Sequence, residues 1–303
     1  MPSELDRRLA AAVKRLTARG TPFEIGSIER GGVTLPFYSR APKTLPALFD
    51  LLCAEHGDAE FLVDGTVRLS FAQTHALARR VAAGLMTRHG VRRGDRVAIA
   101  ARNSANWIVA YMGVLMAGGC ATLLNGWWSG EELAGGIALP DCTLVLADPP
   151  RAQRLARVPL SARVVLFDHG EPEHGLTQLL GADDDQWRLP ELAGDDLATV
   201  MFTSGSTGTA KGAVSDHRAV VQATCNFAVQ SLAALIVDTP DGALPPPQST
   251  LVSVPLFHVT GEIALLLQSF FTGRRLVIMP KWDARAPGGW RSRSSSAARR
   301  RRR

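Results

Sequence analysis

One stretch concentrates the groups that hold phosphate. After the apolar run 197–202 come Thr203, Ser204, Gly205, Ser206, Thr207, Gly208, Thr209, Ala210, Lys211 and Gly212. Glycines let main-chain N–H groups approach an anion, hydroxyls donate to phosphate oxygens, and a lysine adds a point charge. The pattern reads as a polyphosphate-holding loop. A flexible Ser/Gly linker would need neither the apolar strand running into it nor the lysine at its exit. Two familiar loops do not fit. G-x-x-x-x-G-K-[ST] would need glycine at 210 and a hydroxyl at 212, where Ala210 and Gly212 stand. The nucleophile turn G-x-S-x-G would need glycine at 204, where Ser204 stands.

A second constellation, Pro255-Leu-Phe-His-Val-Thr-Gly-Glu262, follows an apolar strand read over 250–255. A lone histidine at a strand end is more often structural than catalytic. The company it keeps changes that reading here. TSGSTGTAKG resembles the phosphate-binding loop of the AMP-forming adenylating enzymes, a superfamily that includes acyl-CoA synthetases, luciferases and the adenylation domains of peptide synthetases. Ala210 stands where that family usually has proline, which would loosen the turn without removing a phosphate donor. The P-L-F-H-x-x-G segment extends the resemblance, as does the N-G-W-W run ending in Trp127 and Trp128.

The resemblance implies a two-step reaction. A carboxylate attacks the α-phosphorus of ATP and expels pyrophosphate, and the thiol of CoA then displaces AMP from the acyl-adenylate. Carried over by position, Thr203 would lie near Mg²⁺ and the phosphates, and Ser204, Ser206 and Thr207 would donate to the β- and γ-oxygens. The N–H groups of Gly205 and Gly208 would do the same, and Lys211 would neutralise the polyphosphate. Phe257 and His258 would shape the substrate site, and Gly261 would permit close backbone approach. Thr203, Lys211 and His258 are thus the expected catalytic residues. The expected substrates are a carboxylic acid of fatty-acyl type, ATP and CoA; peptide-synthetase chemistry is disfavoured because no carrier-domain linkage is visible.

The elements that position these groups read as alternating βα units. Residues 4–19 pattern as a surface helix with Leu5, Leu9, Val13 and Leu16 on one face, and a Gly/Pro/Thr-rich loop follows to Thr44. A helix from Leu45, two short strands over 61–70 around a D-G turn, and a helix over 71–89 come next. Strands are expected at 95–100, 120–124, 142–147 and 164–167, with helices at 105–116, 131–138 and 151–157 between them. The run from Arg102 to Glu131 carries no charge, but Asn106, Gly118, Gly119 and Asn125 interrupt it, so a buried helix and a buried parallel strand account for it better than a membrane span. Asp183, Asp184 and Asp185 read as a solvated connection. Beyond the phosphate loop a helix is expected over 217–234, a breaker-rich loop over 240–247, a helix over 263–271 and a strand over 275–279. The fold class is α/β: two stacked βα-type subdomains with mostly parallel sheets, as in the large N-terminal domain of acyl-CoA synthetases, but incomplete.

Composition supports a folded core: 46% of the 303 residues are hydrophobic and 20% charged. The four cysteines form no C-x-x-C pair, which argues against a zinc site and fits a reducing, cytoplasmic setting. Eight of the 34 basic residues and none of the 28 acidic ones lie in 285–303, so the formal charge of +6 belongs to the tail and the rest is slightly acidic. Residues 1–284 are therefore expected to be part of an AMP-binding domain and 285–303 a disordered Arg/Ser-rich tail. The family's G-Y-G-x-T-E and T-G-D segments are absent, and helical patterning ends abruptly near Arg285, as expected of a truncated chain or a frame change in GC-rich coding DNA. Three functions follow as expectations: a ligase fragment inactive alone, a non-catalytic nucleotide- or acyl-binding protein, or a nucleic-acid binder acting through its arginines.

Overall fold

The computed structural model describes residues 2–182, 187–203, 211–239 and 248–279. Asp183 to Asp185, the loop 240–247 and the tail 285–303 lie outside the described residues. So does the heart of the phosphate loop, Ser204 to Ala210.

Helix α1 (Glu4–Leu16) starts at a Ser3 capping box and lies along α8 (His217–Asp238), burying Ala12 against Ala233 and Val237 while Leu5 stays exposed. Residues expected as loop instead form an antiparallel hairpin, β1 (Ile25–Arg30) and β2 (Val33–Tyr38). Gly31 and Gly32 both have positive φ, which a two-residue turn between right-twisted strands requires. Both strands are largely exposed, so no buried alternation marked them in the sequence. Then follow α2 (Leu45–His56), β3 (Glu60–Asp64), β4 (Val67–Ser70) and α3 (Phe71–Thr87).

The alternation appears as expected: β5 (Arg96–Ala100), α4 (Ala105–Met116), β6 (Cys120–Leu123), α5 (Gly130–Ala138), β7 (Leu144–Ala147), α6 (Pro149–Leu155), β8 (Arg163–Leu166), a short α7 (Pro172–Gly175) and β9 (Leu197–Thr203). The chain then turns back as β10 (Lys211–Asp216), an edge strand antiparallel to β9. That strand was not expected, because its Lys-Gly-Ala-Val start reads as the exit of a Gly-rich loop. After α8 come β11 (Ser249–Val252), one helix α9 (Val259–Thr272) and β12 (Arg275–Ile278). The middle of α9, Glu262–Leu267, is wound as π-helix.

Two sheets carry the architecture. Six strands run in the order β10-β9-β6-β5-β7-β8, all parallel except β10. Four run β11-β12-β3-β4, with β4 antiparallel. One hydrophobic cluster joins both sheets through α2, α3, α4 and α8, with Val97 and Ile99 pointing into it. Their neighbours Ala98 and Ala100 point the other way, into a second cluster under α5. A sheet buried on both faces needs apolar residues at every strand position, and β6 and β7 are buried throughout. Helix α4 is buried at all twelve positions, as the uncharged run implied. Helix α8 is long and apolar enough to cross a membrane, yet it packs on α1, β9 and α9 and buries one face there, with Phe227 left exposed.

Candidate functional site

In the parallel sheet, β5 is followed by β6 on one side and, after α5, by β7 on the other. Such a reversal of strand order opens a crevice at the carboxyl ends of the strands. A pocket of about 300 Å³ lies there. Ala101, Arg102 and Asn103 line it after β5, Gly126 and Trp127 after β6, and Arg151 beyond β7. The smaller sheet closes it with Val252 at the end of β11, Ser253 to Pro255 and Phe257 after it, and Met279 after β12. The carboxyl edges of both sheets thus meet at one cavity.

Three devices hold its walls. Ser104 caps α4, which leaves the neighbouring Asn103 for a different task. The Asn103 amide donates to the Val254 carbonyl at 2.8 Å, and its oxygen accepts from the Leu256 N–H at 3.0 Å. One side chain therefore clamps the strand that leads into Pro255–His258. Asp148 is the second device. It caps α6, accepts from the Arg102 N–H at 3.1 Å and pairs with Arg151 at 2.9 Å, with both side chains of the pair largely buried. Arg151 donates in turn to the Gly126 carbonyl, and Arg154 donates to the carbonyls of Gly126 and Trp128.

The tandem tryptophans are the third. Trp127, 69% exposed, sets its ring edge-on to Phe257 at 5.4 Å, and Trp128 packs against Phe202 at 5.2 Å. Gly136 makes room for Trp128, because a Cβ there would lie 2.7 Å from its ring. Phe202 immediately precedes Thr203, so this loop joins the neighbourhoods of the two constellations.

Thr203 ends β9 and lies directly opposite Lys211, the first residue of β10, and both are exposed. Ser204, Gly205, Ser206, Thr207 and Gly208 belong to the connection they enclose and lie outside the described residues. Phe257 is buried and lines the pocket, whereas Thr203, Lys211, His258 and Gly261 are not among its walls. His258 is exposed at the start of α9, its ring 4.6 Å from that of Phe257. A Cβ on Gly261 would collide with the Pro255 carbonyl, so glycine is needed where α9 folds back on its own approach.

The next residue, Glu262, is fully buried. Tyr111 of α4 donates its hydroxyl to Glu262 Oε1 at 2.6 Å, and Oε2 has no partner among the described residues. Burial pushes this carboxyl up to about 7, although the Tyr111 bond pulls the other way. At the opposite end of the site's support, His217 is buried at the start of α8 and accepts from the Leu45 N–H at 3.3 Å. Desolvation lowers it to about 4, so it is neutral where it caps α2. The four cysteines are buried and unpaired, and burial raises each thiol.

Asn103, Asp148 and Glu262 escaped the reading of the sequence as site residues. Two have partners distant in the chain, 151 residues apart for both Asn103–Val254 and Tyr111–Glu262, and Asp148 reaches Arg102 across 46 residues although Arg151 is its neighbour. The local signals were Asp148 ahead of Pro149 and Pro150, a helix-start pattern, and an isolated acid, Glu262, ahead of the apolar run 263–267.

Residues 49–292 match the family model of the AMP-binding enzyme. Among curated proteins the chain is 28% identical over 218 residues to 4-coumarate–CoA ligase 3 of Arabidopsis thaliana, covering 71% of this chain and 37% of that protein. It is 30% identical over 229 residues to the long-chain-fatty-acid–CoA ligase FadD13 of Mycobacterium tuberculosis, covering 72% and 41%. The chain thus spans less than half the length of these relatives. In fold it is similar to a Mycobacterium tuberculosis fatty acyl CoA synthetase, with a TM-score of 0.66 at 24% identity over 82% of this chain and 47% of the other. It is similar also to the N-terminal domain of FACL13 from the same organism, with a TM-score of 0.64 at 23% identity over 81% and 59%. With its phosphate-loop sequence, its switch-point pocket and a family match over most of its length, the chain belongs to the AMP-binding enzyme family, of which it represents the N-terminal portion.

Proposed function

We propose that this chain forms the carboxylate- and polyphosphate-binding part of an ATP-dependent acyl-CoA ligase acting on a carboxylic acid of fatty-acyl type. One observation carries the reading. The Thr203–Lys211 hairpin springs from the carboxyl edge of the six-stranded sheet, and the Phe257 pocket lies at that same edge, with the Trp127–Trp128 loop between them. A triphosphate held at the hairpin would present its α-phosphorus toward a carboxylate seated in the pocket.

The pocket suits an amphipathic acid. Phe257, Trp127, Val252, Val254, Pro255 and Met279 offer apolar surface, and the Arg102 guanidinium, which makes no ion pair among the described residues, offers positive charge. At the hairpin, Lys211 would supply charge to the β- and γ-phosphates. Ser204, Ser206, Thr207 and the N–H groups of Gly205 and Gly208 would orient them so that pyrophosphate leaves in line. Among the described residues no group of three or more His, Cys, Asp or Glu could hold a metal. Mg²⁺ would be carried on the triphosphate, with the Thr203 hydroxyl as a neutral ligand; magnesium normally takes much of its shell from phosphate and water. CoA thiol would then take the acyl group from the adenylate.

The test is carboxylate-dependent pyrophosphate release, with hydroxylamine trapping of the acyl-adenylate, across a series of fatty and aromatic acids. Trapped hydroxamate with fatty acids supports the reading. ATP binding with no hydroxamate from any acid would favour a nucleotide-binding protein without turnover.

A further inference from the structure

We propose that the buried Glu262–Tyr111 pair is a proton-dependent latch that positions the Phe257–His258 segment, making Glu262 a positioning residue for the pocket. The inference rests on the reading that this segment bounds the substrate site.

The geometry is specific. Glu262 begins the π-wound part of α9, a form of helix that is rare, usually short and often found at functional sites. Its N–H donates to the His258 carbonyl at 2.8 Å, and the preceding Gly261 is pressed against the Pro255 carbonyl. The backbone of Glu262 is therefore tied to both ends of Pro255–His258. Its side chain is tied to α4 by a single bond, and α4 is buried along its whole length. Tyr111 is itself held by stacking on Trp107, with centroids 5.5 Å apart and planes 12° from parallel. Between a fixed α4 and the pocket segment stands one carboxyl with one satisfied oxygen.

A buried carboxylate with an empty lone-pair side is costly, whereas the protonated acid needs only a modest partner. Ionisation strengthens the Tyr111 bond but leaves a charge without water, so the carboxylate is drawn toward solvent and the π-wound turn can yield toward Pro255–His258. Among the described residues no cation bonds to the Glu262 carboxyl. Tyr111 faces the carboxyl from α4, and Cys120 of β6 is the other ionisable group whose field reaches it. Helix α8, packed on the same turn, carries His217, Arg218, Cys225 and Asp238, none of which bonds to Glu262. The remainder of α9 has no ionisable side chain, and His258 lies one turn before.

Two tryptophans report the two ends of the latch: Trp107 stacks on Tyr111, and Trp127 lies against Phe257. The chain labelled with 5-fluorotryptophan gives one fluorine resonance for each of six tryptophans, assignable through Trp107→Phe and Trp127→Phe. Between pH 5 and 9 both resonances should shift with one midpoint near 7. Glu262→Gln should abolish the shared transition, Tyr111→Phe should move it upward, and His258→Gln should leave it in place. Because Tyr111→Phe removes only a hydroxyl, it tests the idea even if Glu262→Gln does not fold. Titration of Trp107 without Trp127, persistence of the transition in Glu262→Gln, or its loss in His258→Gln would each overturn the latch. No substrate is present, so the outcome is independent of whether the chain proves to be a ligase.

Discussion

Replacing Glu262 with glutamine should unmask a pH dependence of stability that the parent chain conceals. Two buried groups shift in opposite directions. The Glu262 carboxyl is raised from 4.5 to about 7, and His217 is lowered from 6.5 to about 4. For the carboxyl, the folded state holds a proton that the unfolded chain has released, so its contribution is full below 4.5 and is lost as pH rises through 7. For the histidine the unfolded chain holds the extra proton, so its contribution is full above 6.5 and is lost as pH falls through 4. Each change corresponds to about 3 kcal/mol at most. Across the shared window the slopes oppose and nearly cancel. With Glu262→Gln the His217 slope stands alone, and stability should rise by about 3 kcal/mol from pH 4.5 to 7 relative to the parent. His217→Gln should give the reverse slope. Urea unfolding at a series of fixed pH values, followed by far-ultraviolet circular dichroism, measures this directly. A parent-minus-variant difference that stays constant from pH 4.5 to 7.5 would refute the assignment of a protonated, buried Glu262.

Other perturbations have equally definite outcomes. Lys211→Ala should weaken ATP binding at least tenfold while changing AMP binding little, since only the triphosphate reaches the charge at the hairpin; calorimetry showing equal losses would remove Lys211 from the polyphosphate site. Asn103→Ala strands the Val254 carbonyl and the Leu256 N–H and should cost about 1–3 kcal/mol in urea unfolding, while Asn103→Asp, which keeps only the acceptor, should recover part of that loss only if Leu256 is the stronger bond. Gly261→Ala should cost about 1–3 kcal/mol by forcing α9 off the Pro255 carbonyl, and a neutral result in the same assay would mean the close approach is not maintained in solution.

Some features were legible because their cause is local. Ser104 before a twelve-residue apolar run, closed by Gly118 with positive φ, defined α4 to the residue. Strands buried on both faces wrote continuous apolar runs at β5, β6 and β7. The Thr/Ser/Gly/Lys composition of 203–212 marked a phosphate loop whatever its surroundings. Other features had no local cause. The β1–β2 hairpin is too exposed to alternate, β10 becomes a strand by pairing back on β9, and the π turn shows nothing in composition.

The sequence by itself therefore determined the family and the residues suited to phosphate, because hydroxyls, glycines and a lysine carry that chemistry wherever the chain places them. Tertiary structure alone decided which of the remaining residues matter. Asn103 becomes a clamp only when Val254 and Leu256 are brought beside it. Glu262 becomes a neutral, pH-poised group only when α4 buries it against Tyr111. Hydrogen bonding across 151 residues and the loss of water around a carboxyl are properties of packing, and no short stretch of sequence contains them.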